Sequence, residues 1–218
     1  MSNPVKGRKL RNVESTRTRW LTHAEADRLL EAASSEPKAS HLSDFIRLAL
    51  FTGARRGELL GLEWSRVDLR TNVIHLEAVH AKTGIPRSIP LHKEARQALI
   101  GRQRFRASFC PDAPFVFVNH EGCPIRSIKR SFATACRRAD IADFRIHDLR
   151  HTFATWCVTD GVSLLELRLL LGHSTIKMTE RYAHLAMGNL KSAVSLLDHR
   201  SHSGHSVRPQ QIRSVVSH

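Results

Sequence analysis

The sequence predicts a mainly α-helical domain carrying a small antiparallel β-sheet, an α+β fold. Leu42, Phe45, Ile46, Ala49 and Leu50 fall at i, i+3, i+4, i+7 and i+8, so they form one apolar stripe on a helix. Thr22 with Glu25 and Ser163 with Glu166 have the spacing of capping boxes, which mark two helix starts. Val73–Glu77 with Val79, and Arg87–Leu91, read as short strands around a Lys82-Thr83-Gly84 turn.

Residues 1–20 hold Lys6, Arg8, Lys9, Arg11, Arg17 and Arg19 against the single acid Glu14, without apolar periodicity. They read as a flexible basic arm or linker. The first helix starts after Thr22 and runs to about Ser34. The apolar-striped helix follows and ends at Gly53. Gly53, Gly57 and Gly61 recur every four residues, a spacing also found where membrane helices pair. The arginines and glutamates between them exclude a membrane and leave tight backbone packing or turns. Pro90 confines the last strand segment to a strand end or an edge. A helix over roughly 92–106, a strand at Phe115–Val118 and a helix near 125–139 come next, with Gly122 and Pro124 marking the turn before the last. A helix opening near His147 closes at Asp160-Gly161. The helix capped by Ser163 ends at Gly172. Ser174 is positioned to cap a further helix bearing Tyr182. A last helix near 187–197 and a polar, His/Ser-rich tail over 199–218 complete the chain.

Charge narrows the function. Lys plus Arg number 34 against 20 acids, a net charge of +14, with a pI near 10.8. Such an excess attracts polyanions, of which nucleic acid is the commonest. No apolar run reaches the roughly 18 residues that span a bilayer, and no apolar segment follows the charged N-terminus as in a secretory signal. Cys110, Cys123, Cys136 and Cys157 form no CxxC pair and read as reduced thiols of a cytoplasmic protein.

The chemistry-bearing residues concentrate in the last third. His147 and Arg150, at i and i+3, share one face at a helix N-terminus, where free N–H groups and the dipole favour an anion. A guanidinium that binds two oxygens at once makes this a phosphate site. A plain surface helix start has the same composition. His147 and His151 also stand at i, i+4, the spacing of a helical zinc pair, but Arg150 between them would repel a cation. Tyr182 is the only tyrosine. A lone tyrosine packs with its hydroxyl satisfied, or, with positive charge and a base nearby, acts as a nucleophile despite a phenol pKa near 10. In Thr52-Gly-Ala-Arg55-Arg56-Gly-Glu58, an arginine after a glycine turn meets a carboxylate three residues on; an exposed ion pair would look the same. Lys82 stands at the hairpin tip.

Taken together, these pieces resemble the catalytic domain of the tyrosine recombinases, the phage integrase family. Thr52–Glu58 is similar to the family's TG-x-R-x-x-E box, with Arg55 as the first arginine and Glu58 as its support; the Glu58 spacing selects Arg55 over Arg56. Lys82, followed by Ser88-Ile-Pro-Leu91, resembles the hairpin lysine. His147-Asp-Leu-Arg150 resembles the H-x-x-R box, Leu171-Gly-His173-Ser174 the L-G-H-S box, and Met178-Thr-Glu-Arg-Tyr182 the box of the nucleophile. The resemblance covers about residues 20–195.

It implies the tyrosine recombinase catalytic-domain fold over 21–198 and a 3′-phosphotyrosine intermediate on Tyr182. Arg55 and Arg150 would hold the nonbridging oxygens, and His173 would hydrogen-bond the phosphate. His147 would take the phenolic proton, and Lys82 would protonate the leaving oxygen. No metal, ATP or other cofactor is implied. The implied partners are double-stranded DNA and further copies of the chain, assembled as a tetramer through exchange of residues 187–197, in a cytoplasmic, nucleoid-associated protein. Family members usually carry an N-terminal clamp domain, and residues 1–20 look like the linker to it. Three other readings remain at this stage. They are a type IB topoisomerase, an inactive remnant of a mobile element, and a non-catalytic DNA-binding protein whose residues 163–182 form a helix-turn-helix.

Overall fold

The computed structural model of the protein describes residues 19–36, 39–77 and 86–186. Helix α1 (His23–Ser34) begins where Thr22 accepts the Glu25 N–H and the Glu25 carboxylate accepts the Thr22 N–H. Helix α2 (Leu42–Thr52) is the axis of the core. Leu42, Phe45, Ile46, Leu48 and Leu50 have no exposed surface, and full burial of one such side chain contributes about 1.5–3 kcal/mol. Around α2 pack α1, α4 (Lys93–Phe109) and α6 (Asp148–Thr159). The short helix α3 (Arg56–Leu60) follows α2, and α5 (Lys129–Arg138) lies against α1.

Strands β1 (Val67–Asp68), β2 (Val73–Leu76) and β3 (Arg87–Pro90) form one antiparallel sheet in that order. Ile74 pairs with Ile89 and Leu76 with Arg87. Ile74, Leu76 and Ile89 face the core, while His75 and Ser88 meet on the outer face at 3.0 Å. The period of two therefore gives the hairpin one wet and one dry side. Pro90 closes β3, as its missing N–H requires.

Several sequence expectations are corrected. Strand β1 is only two residues long, too short to leave a pattern. Residues 115–118 form isolated bridges, Glu63 to Phe115 and Val118 to Pro124, rather than a strand. Arg102 of α4, buried at 2% exposure, lies against this segment. Its guanidinium donates to the carbonyls of Val116 and Val118, so both are occupied by a side chain. The helix expected near 125–139 begins only at Lys129, and α4 continues past 106 to Phe109. The arm before residue 19, Lys82 and its hairpin tip, the 187–197 helix and the 199–218 tail lie outside the described residues.

Helix α7 (Leu164–Leu171), opened by the Ser163–Glu166 capping box, packs on α6. A second apolar cluster of Ala154, Val158, Leu167 and Leu171 surrounds the ring of Tyr182. On another face of α6, the Leu21 N–H donates to Thr152 Oγ1 and Trp156 Nε1 donates to the Leu21 carbonyl. Helix α6 is thus tied to Leu21, to α2 and to α7. Of the three spaced glycines, Gly53 makes the closest approach. It caps α2 in the left-handed region (φ 61°), and a Cβ there would lie 2.3 Å from Phe153 Cδ1 on α6. Gly53→Ala is expected to cost about 2–4 kcal/mol from backbone strain and overpacking together. Urea unfolding checks this: a loss below about 0.5 kcal/mol would show that the α2–α6 junction is slack.

Candidate active site

Four segments from distant parts of the chain meet at one end of α6. The first is the turn after α2. Arg55 precedes α3, and the Glu58 carboxylate accepts its backbone N–H at 2.7 Å and its Nη1 at 2.9 Å. The same carboxylate accepts both Nη groups of Arg87 from β3, at 3.1 and 2.7 Å. Glu58 is 1% exposed at its side chain, Arg87 6% and Arg55 18%. Arg56 is exposed. The ion pair anticipated between Arg55 and Glu58 is therefore present, buried, and shared with a second arginine.

The second segment is the start of α6. Arg150 is buried, with Nη1 donating to the Gly53 carbonyl at 2.8 Å and Nη2 to the Leu171 carbonyl at 2.7 Å. Both acceptors are helix-terminal carbonyls without a full set of helical partners, which is where a cation is stabilised. The ring of His147 stands 4.9 Å from that of His151, edge to face at 89°.

The third and fourth segments follow α7. Gly172 turns the chain in the left-handed region, and Arg87 fills the space where its Cβ would be. Buried His173 is fixed by an Nδ1–Thr179 Oγ1 hydrogen bond of 2.9 Å. Tyr182 lies in a 3₁₀ segment, Glu180–Ala186, rather than on an α-helix. Ser174 caps no helix; its hydroxyl lies against Met178 Sδ. Ile176–Met178 is a single 3₁₀ turn, so residues 163–182 have no second α-helix and the helix-turn-helix reading fails. The Tyr182 hydroxyl lies 2.6 Å from His151 Nδ1. Arg55, His147, Arg150, His173 and Tyr182 all line one open cavity of about 1020 Å³, together with Lys177 and Arg181.

Comparison with known proteins gives the family and the fold. Residues 19–189 match the model of the phage integrase family. The chain belongs to that family. The integrase of Salmonella phage P22 is 32% identical over 201 residues, covering 85% of this chain and 48% of that protein. The catalytic domain of bacteriophage HP1 integrase is 30% identical with a TM-score of 0.60, covering 81% of this chain and 93% of that one. The Tn1549 transposon integrase, solved in complex with circular intermediate DNA, gives a TM-score of 0.69 at 25% identity, over 84% of this chain and 68% of that one. The fold is thus the tyrosine recombinase catalytic-domain fold. The chain spans about half the length of the first curated relatives it matches.

Within this integrase-family fold, the electrostatics are lopsided. Burial pushes the Arg150 pKa down, and Arg55 and Arg87 push it further, to about 9, which leaves it charged at neutral pH. Burial, then Arg150, Arg55 and Arg181, hold His173 down at about 3, so it is neutral. Burial, then Arg150, also lowers His147. Tyr182 is raised by burial, against the pull of Arg181 and Arg150. Among the described residues no group of three or more His, Cys, Asp or Glu is placed to hold a metal ion.

Two residues in this cluster escaped sequence reasoning. Arg87 looked like an ordinary strand arginine, and only the fold brings it to Glu58. His151 is visible in sequence at i+4 from His147, a spacing weighed only as a metal pair that Arg150 disfavours, and nothing local links it to the tyrosine.

Burial raises the Glu58 pKa, but its bonds to Arg87 and Arg55 outweigh this and leave it below the usual carboxylate value. Its stabilising contribution is therefore complete above the unfolded carboxylate pKa and is lost as pH falls through the lower folded value. Glu58→Gln is expected to cost about 3–5 kcal/mol at neutral pH by leaving buried Arg87 uncompensated. It should also weaken the acid sensitivity of folding between about pH 5 and pH 2. Urea unfolding across that range checks both, and an unchanged pH dependence would remove Glu58 as its source.

Proposed function

We propose that this chain is the catalytic domain of a site-specific DNA recombinase that cuts and rejoins strands through a 3′-phosphotyrosine. The observation that carries this is the shared cavity, lined by the Tyr182 phenol, the imidazoles of His147, His151 and His173, and arginines that include Arg55 and Arg150. In this reading Tyr182 attacks the scissile phosphorus and the 5′ oxygen leaves. Arg55 and Arg150 hold the nonbridging oxygens and oppose the extra charge of the pentacovalent transition state. Groups of that kind are worth about 10²–10³ in rate each. Glu58 holds Arg55 in place. His173 hydrogen-bonds the phosphate, His147 is the imidazole at the helix start beside it, and Lys82 protonates the leaving oxygen. The phosphotyrosine keeps the energy of the original ester, so a second strand's 5′-hydroxyl reverses the step without ATP, and cationic side chains do the work a metal ion does elsewhere.

The partner is double-stranded DNA, supported by the net charge of +14 and by the DNA-bound Tn1549 relative. Residues 1–20 serve as a basic linker, 21–198 as the catalytic domain, and 199–218 as a tail. Recombination joins two duplexes, so four copies assemble on DNA, with 187–197 as the exchanged segment. No helix among the described residues is long and apolar enough to cross a membrane, and the site of action is the cytoplasmic nucleoid.

The test uses labelled, nicked duplexes from the DNA flanking the gene. Wild type should form a protease-sensitive adduct that survives SDS, while Tyr182→Phe binds DNA with the same affinity and forms none. Adduct formation by Tyr182→Phe would refute the nucleophile assignment. Arg150→Lys keeps the charge but loses the two-pronged geometry, and should slow adduct formation by about 10²-fold or more. Wild-type single-turnover rates from that variant would remove Arg150 from the phosphate site.

A further inference from the structure

We propose that His151 is the group that takes the phenolic proton of Tyr182 as the tyrosine attacks phosphorus. The proposal rests on Tyr182 as nucleophile and replaces His147 in the proton-accepting role. The geometry is direct. The Tyr182 hydroxyl and His151 Nδ1 are 2.6 Å apart, within reach for proton transfer without rearrangement. His147 contacts the ring of His151 at 4.9 Å between centroids, and among the described residues the phenol's hydrogen bond goes to His151 and not to His147.

Both sides of the contact are held by packing. His151 follows Arg150 on α6, whose guanidinium is fixed by two carbonyls. Tyr182 is 6% exposed and its ring lies in the apolar cluster between α6 and α7. Its N–H donates to the Thr179 carbonyl at 3.0 Å, and Thr179 is in turn bonded to His173. A surface tyrosine touching a histidine by chance would have neither anchor.

The charges around His151 suit a base. His147, Asp148 and Arg150 face it from its own helix and Arg181 from the 3₁₀ segment, with Arg55 and Lys177 across the cavity. Burial, then His147 and Arg181, lower its pKa to about 4, so the ring is neutral at neutral pH and Nδ1 accepts the phenol O–H. A phosphate entering the cavity adds negative charge beside this ring and favours its protonated form. The imidazole therefore becomes a stronger base when substrate is bound.

The step balances as follows. The Tyr182 O–H bond breaks as its oxygen bonds phosphorus, and the proton moves to Nδ1, giving an imidazolium. The phosphorus–O5′ bond breaks with its electron pair on the 5′ oxygen, which takes a proton from Lys82. In the reverse step the imidazolium returns its proton to the departing phenolate.

The experiment needs no target site. Diisopropyl fluorophosphate offers a small phosphorus electrophile, and the sole tyrosine makes its label unambiguous by peptide mass spectrometry. With His151 as base, wild-type labelling of Tyr182 should be flat from about pH 6 to pH 8, because the neutral imidazole is already fully populated. In His151→Gln the rate at pH 7 should fall by about 10²-fold or more and climb tenfold per pH unit, since only the rare phenolate reacts. A wild-type rate that itself climbs tenfold per unit would overturn the proposal without recourse to any variant. So would wild-type labelling in His151→Gln, or a larger loss and a steeper pH slope in His147→Gln than in His151→Gln. The DNA adduct test with Tyr182→Phe reads the nucleophile separately, so the two ideas fail by different results.

Discussion

One buried carboxylate sets the charge of the whole site. Glu58 neutralises one unit of charge, yet Arg55 and Arg87 both lean on it and Arg150 lies close enough to feel all three. The remainder is a fixed excess of positive charge in a poorly hydrated corner. Repulsion among guanidiniums would normally scatter them into solvent. Here Arg150 is held by two helix-end carbonyls and Arg87 by the Leu170 carbonyl as well as Glu58. Such a corner carries a fixed positive charge whose field favours an anion.

The fold exists around this corner in a literal sense. The turn that supplies Gly53 and Arg55, the strand that supplies Arg87, and the α7 end that supplies Leu170 and Leu171 meet only there. The glycines at 53 and 172 allow the approach, because Phe153 occupies the space a side chain would need at the first and Arg87 at the second. Helix α6 is anchored through Thr152 and Trp156 to the backbone of Leu21. A shift of that helix would move His147, Arg150 and His151 together. Positioning is thus shared between a rigid helix and a set of short connections, an arrangement that gives precise placement without a large sheet.

Neutral imidazoles complete the picture. Burial and nearby positive charge lower the pKa of His147, and they hold His151 and His173 far enough down to be uncharged at neutral pH. They can accept protons or donate hydrogen bonds without adding to the positive charge that the arginines already supply. The phenol of Tyr182 is the counterpart: burial raises its pKa, so it is protonated at neutral pH.

The sequence by itself determined the family, most helices and the candidates Arg55, His147, Arg150, His173 and Tyr182, because these depend on local patterns. Capping boxes, the apolar stripe of α2 and the boxes around Arg55, Arg150, His173 and Tyr182 are each contained within about a dozen neighbouring positions. The tertiary structure alone decided three things. Residues 115–118 form isolated bridges rather than a strand, with Arg102 donating to two of their carbonyls. Tyr182 sits on a 3₁₀ segment rather than a helix, with Thr179 occupied by His173 and no cap at Ser174. Glu58 pairs with Arg87, and Tyr182 with His151, across 29 and 31 residues of sequence. Contacts of that range leave no periodicity in the chain. They arise only when separate helices and strands are packed around one core, which then fixes which side chains meet.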